Sequence, residues 1–153
     1  MKIITVWQPY ASLIAIGMKP FEFRGWAPPA SIVGQRIGIH AAARKVRPHE
    51  ISEIIAQVQA SPWDVCLHDG VLPWLEQVLR EPESLPLSAI VCTAELWTPE
   101  NGLDVSRRWG WRGGDGQERG AANYAWPMQN VRPLVSPIEA KGRQGFWDHE
   151  VAA

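Results

Sequence analysis

The apolar positions of the chain fall into short runs with two different spacings. Ile3–Trp7 is nearly continuous and reads as a strand. Pro9 suits the first turn of a helix, which carries Leu13 and Ile16 until Gly17 ends it. From Lys19 to Trp26 the pattern alternates, with Phe21 and Phe23 on one side and Glu22, Arg24 and Trp26 on the other. Pro28-Pro29 breaks the chain. Arg36–Ala41 gives a second strand, where Ile37, Ile39 and Ala41 alternate with Gly38 and His40. Pro48 opens an amphipathic helix with Ile51, Ile54, Ile55 and Val58 on its inner face, and Val71–Arg80 reads as another short helix. Ser88–Trp97 is a strong strand whose polar side carries Thr93 and Glu95 opposite Cys92, Ala94 and Leu96. A Gly- and Arg-rich connection from Thr98 to Gly120 follows, of a length usually associated with function or mobility. Tyr124–Val131 returns as a strand, and Arg143–Trp147 supplies a last short one. No internal repeat or low-complexity linker interrupts the series. The expected fold is α+β: a small, strongly bent sheet closed as a β-barrel, with flanking α-helices plugging its ends.

Composition narrows the class. The 153 residues suit one domain spanning 1–153, and 46% hydrophobic with 20% charged residues is typical of a soluble globular protein. Nine tryptophans exceed ordinary usage and suit either a small aromatic core or a stacking surface. Cys66 and Cys92 fit no redox or zinc spacing and read as buried free thiols, pointing to a reducing cytoplasm. Ile3–Met18 does not read as a signal peptide, because Gln8-Pro9 interrupts it and only Lys2 precedes it as a positive charge. No segment is apolar enough to suggest a membrane partner.

The net charge of −1 conceals an asymmetry. Between Glu50 and Ser106 ten acidic residues face one basic residue, Arg80, giving −9, while the rest of the chain carries fourteen basic and six acidic residues, giving +8. Such a chain can present one positive face for a polyanion; equally, the acidic 50–106 region can solvate one side or dock a protein partner.

The residues that carry most chemistry lie near the N-terminus. Lys19, Glu22 and Arg24 stand beside much apolar surface, where charges are costly unless paired or used on a ligand. The run QPYASLIAIGMKPFEFRGW resembles the signature of the ASCH domain (activating signal cointegrator homology). Gln8, Pro9, Ala11, Gly17, Lys19, Glu22, Arg24 and Trp26 fill that family's pattern, with Tyr10 in place of its usual tryptophan. Downstream, Gly38-Ile39-His40-Ala41-Ala42, Ile90–Leu96 and Lys141-Gly142 with Gly145-Phe146-Trp147 are similar to later strands of the family. The resemblance implies a PUA-like barrel associated with RNA or DNA, and a cleft formed by Lys19, Glu22 and Arg24 with Gln8 and His40 as neighbours.

Within such a cleft Arg24 would fork onto a phosphate, Lys19 would add a point charge and Glu22 would accept a base N–H; a structural Glu22–Arg24 ion pair is the competing reading. Arg44 and Lys45, with Arg36 and Arg47, form a basic stretch suited to tracking phosphates or to solvating a face. The segment from Arg107 and Arg108 through Trp109, Trp111 and Arg112 to Gly114 combines cations with stacking rings, and one of its two tryptophans is expected to anchor it to the barrel. RNA or a nucleotide-like ligand is therefore the expected partner, with DNA an alternative.

The resemblance also implies an enzymatic alternative. A bacterial branch of the family hydrolyses the acetyl amide of N4-acetylcytidine with a lysine and a threonine from this motif plus a glutamate elsewhere. Lys19 occupies the lysine's place, whereas Glu22 stands where the threonine nucleophile would be. A Lys19–Glu22 pair would instead handle protons, in a nucleoside hydrolase or in a ribonuclease helped by Tyr10 or His40. Cys66, His68 and Asp69 do not make a metal site by proximity alone, and no nucleotide-cofactor or metalloprotease motif is present, so no metal or cofactor is expected.

Overall fold

The computed structural model describes residues 1–113 and 123–152. Its strands are β1 (Lys2–Val6), β2 (Phe21–Arg24), β3 (Arg36–Ala41), β4 (Ala89–Leu96), β5 (Glu100–Asn101), β6 (Tyr124–Glu139) and β7 (Phe146–Asp148). The helices are α1 (Tyr10–Ala15), α2 (Pro48–Ala60), α3 (Pro62–Val65), α4 (Val71–Arg80) and α5 (Gly102–Arg108). The strands form one seven-stranded mixed sheet in the order β2-β6-β4-β3-β1-β7, with β5 added on β6. Only β1 and β3 run parallel; the other pairs are antiparallel. The expected α+β class is what the chain adopts, and the sheet curls into a half-barrel whose edge strands are β2 and β7.

The curl has a local cause. β6 is 16 residues long and pairs with β2 through Tyr124–Pro127, then with β4 from Met128 to Glu139. Two register shifts in the β4 ladder, between Ile90 and Cys92 and between Thr93 and Glu95, increase the local twist. The sequence pattern gives this strand as Tyr124–Val131, whereas it runs on through Pro133 and Pro137 to Glu139. Pro137 falls in the irregular stretch between the Ile90–Ile138 and Cys92–Pro133 pairs, where a missing N–H costs the ladder little.

The 98–120 connection also differs from the expected open loop. It contains β5 and then α5, capped by Asn101, whose Oδ1 accepts the backbone N–H groups of Leu103 at 2.9 Å and Asp104 at 3.3 Å. Gly102 is fixed by contact with its neighbour, since a Cβ there would lie 2.5 Å from the Asn123 carbonyl oxygen. Gly114, the end of the Arg/Trp/Gly run, lies outside the described residues.

α1 ties the layers together. Ala11 and Ile14 enter the sheet core with Ile4, Ile37, Ile39 and Trp126, while Leu13 enters a second core made by α2 and α4. A third cluster joins Phe21, Cys66, Val105 and Ala125. Gly17 ends α1 in the left-handed region, φ +76°, as its position in the sequence suggests. β2 therefore emerges at the junction of three apolar clusters. Among the described residues no helix is long and apolar enough to cross a membrane.

Candidate functional site

The alternation along β2 separates its side chains as the sequence suggests. Phe21 joins the third cluster, with Phe23 packed against it. On the opposite face, Glu22 pairs in register with Trp126, and the Arg24 guanidinium lies 6.0 Å from the Trp126 ring. Glu22 sits between two cations: one carboxylate oxygen is 3.2 Å from Lys19 Nζ, and the other accepts from Arg24 Nε at 3.0 Å. Lys19 and Glu22 side chains are 6% and 10% exposed, and Arg24 is 24% exposed. Lys19 Nζ also donates to the Phe21 carbonyl and lies over the rings of Tyr10, at 5.7 Å, and Phe23, at 5.2 Å. Its ammonium is thus held by a carboxylate, a carbonyl and two aromatic faces. Arg24 Nη2 donates to the Thr5 carbonyl at 2.7 Å. Its Nε–Nη2 edge, one of the two that can clamp a phosphate, therefore faces protein partners.

A cavity of ≈ 280 Å³ opens beside this pair. Tyr10 of α1 and Phe23 of β2 supply aromatic wall, and Lys19 and Glu22 supply polar lining. Gln57 of α2 and Asp64 and Val65 of α3 complete it. One ammonium and two carboxylates line the cavity, so the positive cleft expected from sequence is not a property of the cavity itself. Arg24 pairs with Glu22 but does not line the cavity. A second cavity of ≈ 300 Å³ shares Tyr10 and Gln57 with the first and extends to Trp7, Gln8 and Arg44.

Gln8 is buried and structural. Its Oε1 accepts the Ser12 N–H at 3.0 Å, and its Nε2 donates to Ser12 Oγ and to the Pro86 carbonyl, both at 2.8 Å, which secures the start of α1 to the segment before β4. His40 is fully buried and lines neither cavity. Its Nε2 donates to the Ala140 carbonyl at 2.8 Å, its ring meets Trp147 edge-on, and Nδ1 has no hydrogen-bond partner among the described residues. Burial lowers its pKa, so the neutral ring is favoured. The structure therefore places His40 with the C-terminal strand rather than beside Lys19.

Arg44 lies over the exposed Trp7 ring at 4.6 Å and forms a two-point contact with Glu50. That hydrogen bonding, with a further one from the Arg47 N–H, lowers the Glu50 carboxyl to about 2. Lys45 lines a separate cavity with Val46, Pro82 and Glu83. At the end of α5, Arg107 pairs with Asp104 at 2.6 Å and lies over Trp111, and Arg108 pairs with Glu100 at 2.6 Å. Arg108 also covers Phe21, whose ring neighbours Phe23 of the first cavity at 6.4 Å. Arg112 contacts only main-chain carbonyls among the described residues. Trp109 is the anchoring tryptophan of the two: its Nε1 donates to the Leu67 carbonyl at 3.0 Å and its ring packs edge-on against Phe21.

Sequence reasoning missed Trp7, Phe23, Gln57, Asp64 and Val65 as lining residues. Gln57 sits on the polar flank of an amphipathic helix, where nothing separates it from a solvated residue. Asp64 depended on α3, whose signal was Ser61-Pro62 at a helix start. Among the described residues no group of three or more His, Cys, Asp or Glu side chains is placed to hold a metal ion.

Three comparisons bear on this geometry. The ASCH domain family model matches residues 4–83, just over half of the 153 residues. No curated protein matches the chain. Similar solved structures include an ASCH protein from Zymomonas mobilis, 20% identical over 90% of this chain and 72% of that one, with a TM-score of 0.49. Two point variants of the Zymomonas mobilis protein are 18% and 19% identical, cover 72% and 74% of their own length and 90% of this chain, and have TM-scores of 0.48 and 0.47. The α+β half-barrel described above agrees with the α+β class expected from the sequence. Because the matched range covers more than half of the chain and holds most of β1, all of α1 and β2, the Lys19–Glu22–Arg24 triad and the whole lining of the first cavity, the chain belongs to the ASCH domain family.

Proposed function

We propose that this chain binds single-stranded RNA by taking one unstacked base into the cavity lined by Tyr10 and Phe23. The observation that carries the reading is the ≈ 280 Å³ cavity itself, in which two aromatic rings flank the buried Lys19–Glu22 pair. Sequence-specific RNA recognition favours unpaired bases stacked on aromatic rings and hydrogen-bonded at their edges. Glu22, Asp64 and Gln57 line the cavity with acceptors for base N–H groups, and a carboxylate that serves two cations retains further lone-pair directions. The acidic lining would repel phosphate, so the strand's backbone phosphates fall to cations outside the cavity, such as Lys45 and Arg112. Two buried free cysteines support a cytoplasmic setting.

The test is a titration of labelled single-stranded RNA and duplex DNA at several salt concentrations. RNA should bind, more weakly as salt rises, and Phe23→Ala should lower affinity about tenfold, the loss of one stacking contact. Melting monitored by circular dichroism confirms that the variant is folded. No RNA binding at low salt, or full binding by the folded variant, overturns the reading. Tighter binding to duplex DNA, or association through the acidic 50–106 segment instead, would replace it.

A second reading rests on the contact of Lys19 with Glu22 at a cavity wall. Such a pair can give and take protons on a substituent of the bound base, which makes a modified-nucleoside hydrolase the enzymatic counterpart. Incubation with N4-acetylcytidine or with RNA, followed by chromatography, tests it. Product that disappears with Lys19→Met supports catalysis; no product removes this reading.

A further inference from the structure

The cavity lined by Tyr10 and Phe23 adjoins the second, ≈ 300 Å³ cavity, because Tyr10 and Gln57 line both. Trp7 and Arg44 also line that second cavity. Trp7 follows β1 directly and is 61% exposed, the most exposed of the described tryptophans. An indole kept in water forgoes the burial that the other core tryptophans achieve, so its position is not explained by packing. Its surroundings are nevertheless ordered. The Arg44 guanidinium lies 4.6 Å from the ring centroid, and both Glu50 carboxylate oxygens hold that guanidinium in place. Glu50 is fixed in turn by the Arg47 N–H at 2.9 Å, at the start of α2.

We infer that Trp7 and Arg44 form a second base subsite, so that the two adjoining cavities take two consecutive unstacked nucleotides of single-stranded RNA. This rests on the reading of the first cavity as a base pocket. The charge of the subsite fits a base better than a phosphate. Glu50 offsets Arg44, and Glu53 adds another carboxylate to the lining, so an anion is disfavoured where a neutral aromatic ring is not. Every base has a π-face, which makes an indole with a stacked guanidinium a sequence-tolerant platform. The first cavity, enclosed by carboxylates and an amide, discriminates between base edges; the second adds affinity for a strand over a free nucleoside.

Calorimetric titration with the four nucleoside 5′-monophosphates and the four homodinucleotides distinguishes the two subsites. For the base that the first cavity accepts, the dinucleotide should bind about tenfold more tightly than the monophosphate. Trp7→Ala should reduce dinucleotide affinity to the level of the monophosphate, and Trp7→Phe, which keeps a ring, should restore most of the difference. Equal affinities for the two ligands, or a Trp7→Ala protein that binds the dinucleotide like the wild type, overturn the second subsite while monophosphate binding upholds the first. If none of the ligands binds, the base-pocket reading fails and the second subsite falls with it.

Discussion

Glu22 carries more electrostatic responsibility than any other described side chain, because it answers both Lys19 and Arg24 from a position almost out of water. Removing its charge leaves the Lys19 ammonium desolvated between two rings without its carboxylate. Glu22→Gln should therefore lower stability by about 3–5 kcal/mol, whereas a Lys19→Met/Glu22→Met pair, which removes both buried charges, should lose much less. Urea midpoints of the two proteins check this; equal losses would mean that packing, not charge pairing, sets the cost. His40 gives a prediction of a different kind. Its folded pKa is lowered, chiefly by burial and further by His149, below the ordinary value of about 6.5. The unfolded chain thus binds the proton first as pH falls, and the stability present above about 6.5 declines on acidification toward and through the folded pKa. The Gly142 backbone closes against the ring, where a Cβ would lie 2.7 Å from Cε1, so there is little space to relax around a charge. His40→Gln should lose less stability than wild type between pH 7.5 and 5.5; parallel losses in urea unfolding would assign the pH dependence elsewhere. At this scale the sequence displayed the triad, since charged residues interrupt an apolar strand, but concealed Gln57 and Asp64, which reach the cavity only through tertiary packing.

Elements were legible where periodicity and punctuation agreed. β1, α1 and β2 follow from an apolar run, a proline, a glycine and an alternating stretch, and they bring Tyr10, Lys19, Glu22 and Phe23 together within one local unit. α3 and α5 were not legible, because helices of four and seven residues hold too few apolar positions to show a period. α5 did leave a signal in its ends: Asn101 before the first turn, Asp104 within it, and Arg107 and Arg108 in the last turn, where they complement the helix dipole. The helix matters to the site because it carries Arg108 over Phe21 and Trp109 against the same ring. Asn101→Ala should cost about 1 kcal/mol through loss of the cap, and Asn101→Ser should recover most of it. Thermal unfolding of the two variants reads the difference; an alanine variant as stable as wild type would show that contacts to β6 and α3, not the cap, define the helix.

Folding redistributes the charge that the sequence keeps apart. The acidic 50–106 segment and the basic remainder are paired, across the sheet where Arg36 meets Glu95 and locally at the segment's ends, where Arg44 pairs with Glu50, Arg107 with Asp104 and Arg108 with Glu100. β3 brings the first of these together by pairing antiparallel with β4, with Arg36 opposite Glu95 in register. The asymmetry in the linear charge count therefore does not translate directly into one positive face, which is why blocks of charge in the sequence overstated the cleft's polarity. The consequence for RNA binding is quantitative. Of the candidate cations outside the triad, Lys45 and Arg112 make no ion pair among the described residues, whereas Arg44, Arg107 and Arg108 are each answered by a carboxylate. A single strand releases counterions to give a slope of about −0.7 in log affinity against log salt for each phosphate neutralised. If only Lys45 and Arg112 reach phosphates, the slope should be near about −1.4, and Lys45→Ala or Arg112→Ala should each halve it. A markedly steeper slope that flattens in Arg108→Ala would mean instead that the strand displaces Glu100 and opens the α5 pair, making the intramolecular carboxylates competitors for the RNA backbone.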